Sequence, residues 1–208
     1  MSTPSSHREV KLIDNRVAGR PPIISHLYRD YPANELDTIE VKWGQAREQA
    51  SMAENVAGLG PLEHEHWDWR NKAGSVKAGH TMLVAVECEG EAQGIMAVLV
   101  TPRPGRLENS HVVYVDYLES APWNLRRFTA SPRFGGVGTV LVADAVRLSM
   151  EMGLGGRVGP HSLPQAEAFY NRCGMSRVGT DPDYFDLPYY EYTGQQAAHW
   201  FTSTGESL

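Results

Sequence analysis

Cysteine is scarce: Cys88 and Cys173 are the only two in 208 residues. Two thiols exclude a disulfide framework and a cysteine-rich zinc site, and plain thiols in a reducing, cytoplasmic setting are the expectation. Long apolar runs are lacking too. The longest, residues 94–100, is strand-sized, far from the ~20 residues that a membrane span needs. The first ten residues, MSTPSSHREV, lack a hydrophobic stretch and a small-residue cleavage site, so no signal peptide is expected. Positive charge is in deficit: 19 Lys+Arg against 25 Asp+Glu leave a net charge of −6, which argues against non-specific nucleic-acid binding. What remains is an ordinary globular balance, 41% hydrophobic and 21% charged, enough for one sizeable core. Glycine, at 20 residues, is in surplus over the usual ~7%.

Periodicity divides the chain into elements. Residues 1–9 are expected as a loose tail and 10–208 as one domain. A stripe of Leu36, Ile39, Val41, Trp43, Ala46 and Ala50 predicts a helix over 35–57. The charged, aromatic stretch LEHEHWDWRNK predicts another over 62–72. Two β-rich runs, 80–86 and 93–100, flank a turn at Gly90 and predict a hairpin; 111–118 is a third strand. Val140, Leu141, Ala145 and Leu148 mark an amphipathic helix over 138–152. After a short strand at 157–159, Ser162-Leu163-Pro164-Gln165 has capping-box spacing and opens a helix that Gly174 closes. Strands at 176–179 and 187–192 surround an Asp/Pro turn. The order is mixed α+β rather than a regular βαβ array.

The glycine surplus concentrates in Arg133-Phe134-Gly135-Gly136-Val137-Gly138-Thr139, directly before the 138–152 helix. Glycines let a ligand approach the backbone, and a helix start points free N–H groups and its positive dipole end outward, a pairing suited to phosphate. The run lacks the Gly-Lys-Ser/Thr of a nucleotide triphosphatase and the spacing of a dinucleotide loop. From the loop alone, a turn that merely starts a helix is an equally good reading.

R-x-x-G-x-G opening a helix after a long strand resembles the acetyl-coenzyme A loop of the GCN5-related N-acetyltransferase (GNAT) family. Pro164 to Met175, PQAEAFYNRCGM, is similar to that family's A-x-x-F-Y-x-x-x-G-F/M element. The resemblance is clearest over 80–192. It implies an acyl-CoA N-acyltransferase fold: a central mixed, mostly antiparallel sheet, splayed between its fourth and fifth strands and flanked by helices. It also implies acetyl-CoA as cofactor and direct attack of a primary amine on the thioester in a ternary complex, with no metal. The pyrophosphate is then expected on the amides of Phe134, Gly135, Gly136, Val137, Gly138 and Thr139, flanked by Arg133. Backbone near Leu118 and Ser120 would polarise the acetyl carbonyl. Tyr170 falls on the family's proton-donating tyrosine. The base is left open among Glu119, His161 and Asp116; on a regular strand Asp116 and Glu119 point to opposite faces. Two departures stand out: the 122–132 stretch is long for this link and is expected as a flap, and Leu163 replaces an asparagine common in the family.

Glu63, Glu65, Asp68, Tyr189 and Tyr190 are candidates for an amine-acceptor site, with solvated surface an equal alternative. His64 and His66 are too close in sequence to share a helix face, so a metal pair is not expected. Cys173 is expected in the core. The acceptor is expected to be a small-molecule or peptide amine, and homodimers are common in the family. Two other functions stay open: an acetyl-CoA-binding sensor or accessory domain without turnover, and a toxin-like acetyltransferase of aminoacyl-tRNA.

Overall fold

The computed structural model describes residues 6–52 and 68–203. In chain order the elements are β1 (Ser6–Asp14), β2 (Pro22–Arg29), α1 (Leu36–Met52), α2 (Trp69–Lys77), β3 (Thr81–Cys88), β4 (Glu91–Leu99), β5 (Arg103–Pro104) and β6 (His111–Ser120). There follow β7 (Phe134–Gly135), α3 (Val137–Glu151), β8 (Val158–Pro160), α4 (Glu167–Arg172), β9 (Ser176–Asp181), β10 (Leu187–Glu191) and α5 (Gly194–Ser203). The class is α+β, with antiparallel pairing dominant and one parallel pair, β6 with β8. The chain divides into two compact units, Met1–Met96 with Leu118–Leu141, and Ala97–Tyr117 with Val142–Leu208.

In the first unit the strand order is β4-β3-β2-β1-β7. β1 starts at Ser6 and pairs antiparallel with β2, Ser6 opposite Arg29 and Ile13 opposite Pro22. The expected tail over 1–9 is therefore corrected from Ser6 onward. Three polar residues, His7, Arg8 and Glu9, lie there in a ladder whose alternate positions Val10 and Leu12 enter the core, and polarity on the outer face hid the strand. β3 and β4 form the expected hairpin about Glu89 and Gly90, both at positive φ (55° and 74°), the geometry of a two-residue turn. Of the stripe read from the sequence, α1 buries Leu36, Ile39, Trp43 and Ala50, while Ala46 is half-buried and Val41 exposed. The helix expected over 62–72 is found from Trp69 onward, residues 62–67 lying outside the described part.

In the second unit β6 pairs with β5 on one side and, in parallel, with β8 on the other. The parallel pairing runs only from Val113–Val158 to Val115–Pro160. Past Pro160 the chain turns to β10 instead: His161 bridges Tyr189, and the Ser162 amide donates to the Pro188 carbonyl at 2.8 Å. This parting of two parallel strands is the expected splay. Gly159 permits it to be close-packed, because a Cβ there would run into the Tyr189 ring. The capping box does not form. Ser162 donates its hydroxyl to the Leu163 carbonyl at 2.9 Å, and Pro164–Ala166 makes a 3-10 turn ahead of α4 without a side-chain cap. The β9–β10 link carries Phe185 and Asp186 in the left-handed region, with Phe185 93% exposed at its tip.

Candidate functional site

The glycine turn belongs to the first unit and is more tightly built than a loop. Phe134 and Gly135 form β7 on the edge of the sheet, opposite Asp14 and Ile13 of β1. Gly136 follows at φ +85°, and no atom lies within 4 Å of where its Cβ would be. The first intrahelical bond of α3 runs from the Val140 amide to the Gly136 carbonyl at 2.9 Å. The amides of Val137, Gly138 and Thr139 therefore have no acceptor within their own helix. Phe134 is corrected as a phosphate contact: its amide donates to Asn124 Oδ1 at 3.0 Å. Arg133 lies over the Trp123 ring, 5.2 Å from its centroid, and 3.6 Å from the Glu91 carboxylate, with half its side chain exposed.

The 122–132 stretch, expected as a flap, is pinned at its two ends. Trp123 Nε1 and Asn124 Nδ2 both donate to Oε1 of the buried Gln93, at 2.8 and 3.0 Å, and the Arg133 amide donates to the Trp123 carbonyl at 3.0 Å. Gln93 sits on β4 beside Gly94. A Cβ at Gly94 would meet the Val137 side chain, the Leu141 side chain at 3.2 Å and the Glu119 carbonyl at 3.3 Å. That missing methyl lets the first turn of α3 settle against the end of β6, where Leu118, Glu119 and Ser120 lie.

Glu119 is nearly buried, its side chain 5% exposed. Arg47 Nη1 donates to its Oε1 at 2.9 Å and the Trp69 indole to its Oε2 at 2.7 Å. Burial lifts its carboxyl to about 7, against the opposing pull of the Trp69 hydrogen bond and the Arg47 charge. A carboxyl balanced there can take up a proton near neutral pH.

The second unit holds the other candidates in two clusters. His161 is held from both sides: Nδ1 lies 2.8 Å from the Tyr114 hydroxyl and Nε2 3.0 Å from Asp181 Oδ2. Burial raises the Asp181 carboxyl, but hydrogen bonds from Arg106 and His161 outweigh this and hold it below its usual range. As an ionised acceptor it fixes the imidazole proton on Nε2, leaving Nδ1 to accept from Tyr114. Burial lowers the imidazole pKa, Asp181 notwithstanding. With both nitrogens occupied, His161 is corrected as a free-standing base. Tyr184 stacks on it at 4.1 Å, and the Tyr189 ring lies 4.9 Å away. Asp116 is half-buried on β6. In the second cluster Tyr170 packs in α4 against Phe169 and Tyr190, 5.2 and 5.6 Å between centroids, and burial pushes its phenol well above the ordinary range. The Tyr190 hydroxyl donates to Glu167 at 3.0 Å. Burial likewise pushes the Cys173 thiol up to about 12, in keeping with a core role.

Asp68 is corrected as an acceptor contact, because its carboxylate caps α2 by accepting from the Arg70 amide at 2.8 Å and from Asn71 at 3.1 Å. Glu63, Glu65, His64 and His66 lie outside the described residues. Among the described residues no group of His, Cys, Asp and Glu could hold a metal ion, and no helix is long and apolar enough to cross a membrane. Sequence reasoning missed Arg47, Glu40, Trp69, Tyr114 and Asp181, which meet partners far away in the chain.

No family model matches the sequence, and no curated protein matches it either. Solved structures do. A GNAT-family acetyltransferase from Listeria monocytogenes aligns at 13% identity and TM-score 0.51, over 80% of this chain and 94% of that one. PaiA N-acetyltransferase from Thermoplasma acidophilum, solved with coenzyme A, aligns at 14% and 0.51, over 80% and 98%. A protein described as a bacterial toxin aligns at 13% and 0.54, over 98% of this chain and 97% of its own. The fold is that of the GNAT acetyltransferases.

Proposed function

We propose that the chain from Ser6 onward acts as one acetyl-CoA-dependent N-acetyltransferase domain that modifies a primary amine. The observation that carries this reading is the turn into α3: Gly136 in the left-handed region, ahead of helix-start amides with no acceptor in their own helix. The amides of Val137, Gly138 and Thr139 fit a pyrophosphate, Gly136 leaves room for its approach, and Arg133 supplies a nearby cation. Bound acetyl-CoA supplies an activated acetyl thioester. Glu119 takes the proton that the acceptor amine gives up as its nitrogen bonds to the acetyl carbon. Backbone at Leu118 and Ser120 polarises the carbonyl. Tyr170, whose raised pKa keeps its proton on oxygen, donates a hydrogen bond to the departing thiolate, which takes its proton from solvent. The acceptor is a small-molecule or peptide amine.

Calorimetric titration with coenzyme A, and thiol release from acetyl-CoA with a panel of primary amines, test the reading. Gly136→Glu and Gly138→Glu should abolish coenzyme A binding while leaving the protein folded; unchanged affinity overturns the cofactor assignment. Binding without thiol release from any amine, peptide or aminoacyl substrate supports the sensor function instead. The near-complete alignment with a bacterial toxin favours a second reading, a toxin-like acetyltransferase of aminoacyl-tRNA. Arrest of growth on expression, lost in Gly136→Glu, distinguishes it.

A further inference from the structure

Glu119 is one corner of a closed ring of four residues. Arg47, on α1, directs Nη1 to Glu119 Oε1 at 2.9 Å and Nη2 to Glu40 Oε1 at 3.0 Å. Trp69, the first residue of α2, donates its indole N–H to Glu119 Oε2 at 2.7 Å and its backbone N–H to Glu40 Oε2 at 3.0 Å. Two donor residues thus reach all four oxygens of two carboxylates. Arg47 and Glu40 each keep 17% side-chain exposure, and Glu119 keeps 5%. We propose that Arg47 and Trp69 are positioning residues for Glu119: their ring aims its carboxylate, and the single guanidinium, shared between two carboxylates, sets how readily it takes up a proton.

The inference rests on the reading of Glu119 as the base. Among the described residues, the charges acting on Glu119 include Arg47 and Glu40 from α1 and Lys72 from α2. Lys72 also lies over the Trp69 ring, 5.8 Å from its centroid. Arg47 favours the ionised carboxylate, Glu40 opposes it, and Lys72 favours it from α2. A forked guanidinium can serve two carboxylates with fixed geometry, which a lysine ammonium cannot reproduce. A neutral residue at position 47 would leave two nearly buried carboxylates facing each other, so at least one would hold its proton to higher pH.

The test has two readouts. The first follows the Glu119 carboxyl directly, by carbon NMR titration of glutamate-labelled protein. The second is the pH dependence of kcat/KM with acetyl-CoA and the best amine of the panel. Arg47→Met and Trp69→Phe should each move the carboxyl midpoint up, by about one pH unit or more. The limb of the rate profile at low pH should follow each, and Arg47→Lys, which keeps the charge but not the fork, should recover only part of the shift. Melting temperatures lowered in Arg47→Met and Trp69→Phe with both midpoints unmoved would overturn the inference and leave the ring a scaffold. Glu119→Gln separates the two claims. If it keeps the full rate and the same limb, the base reading falls, and the positioning role with it. If it removes the limb while Arg47→Met and Trp69→Phe leave theirs in place, only the inference falls.

Discussion

Two glycines on facing elements decide how closely the first turn of α3 approaches the sheet. Gly94 has no room for a Cβ, since Val137 and Leu141 press on it from one side and the Glu119 carbonyl from the other. Gly94→Ala should therefore destabilise the fold by about 1–3 kcal/mol through overpacking. It should also weaken coenzyme A binding by tilting the helix start; urea unfolding and calorimetry read the two effects separately. Gly136 is the reverse case, open in space but left-handed in φ. The motif that marks Gly136 is local and was legible in the sequence; Gly94 was not, because its neighbours come from two other strands of chain. Tyr170 makes a third expectation: Tyr170→Phe should lower turnover with little change in cofactor affinity, and an unchanged rate removes it from the chemistry. Its motif was legible, whereas its packing against Tyr190 rests on a distant strand.

At the level of elements, the link before α3 is held by Gln93, which accepts from Trp123 and Asn124 while Asn124 accepts from the Phe134 amide. Asn124→Ala leaves that amide without its acceptor, a loss worth about 1–3 kcal/mol where the group is buried. The melting temperature should fall, and amide exchange at Phe134 should accelerate; unchanged exchange would mean that the link is held elsewhere. Length made this link look like a flap. Composition reports the absence of regular structure, whereas the anchoring comes from one buried glutamine far up the chain. Continuous apolar, β-rich runs made β3, β4 and β6 legible, and the 3.6-residue stripe did the same for α1 and α3. β1 was missed because its exposed face is polar and its partner, β2, is proline-flanked. β5 and β7 are two residues each and carry no period at all.

For the molecule as a whole, the buried carboxyl of Glu119 makes stability depend on pH in an unusual direction. Its folded-state pKa, about 7, stands above the ordinary carboxyl value of 4.5. The folded protein thus binds a proton that the unfolded chain has released. The associated stability is complete below the lower value and is lost as pH rises through the upper one, a change of roughly 3 kcal/mol. Asp181, held low, acts in the opposite sense: its contribution is present above the unfolded value and is lost on acidification. Wild-type stability relative to Glu119→Gln should accordingly fall between pH 5 and pH 7.5, measured by urea unfolding at fixed ionic strength; a flat difference would deny the raised pKa. The fold class was legible because two motifs stood in order on the right elements. The ring around Glu119 was not, since it joins residues 40, 47, 69 and 119. Packing at Gly159 has a different kind of consequence. Tyr189 occupies the space that any side chain at position 159 would need, so the two positions are not free to drift independently. Among diverging descendants of this chain, loss of glycine at 159 should be accompanied by a smaller residue at 189, a correlated exchange that an alignment would reveal without any structure.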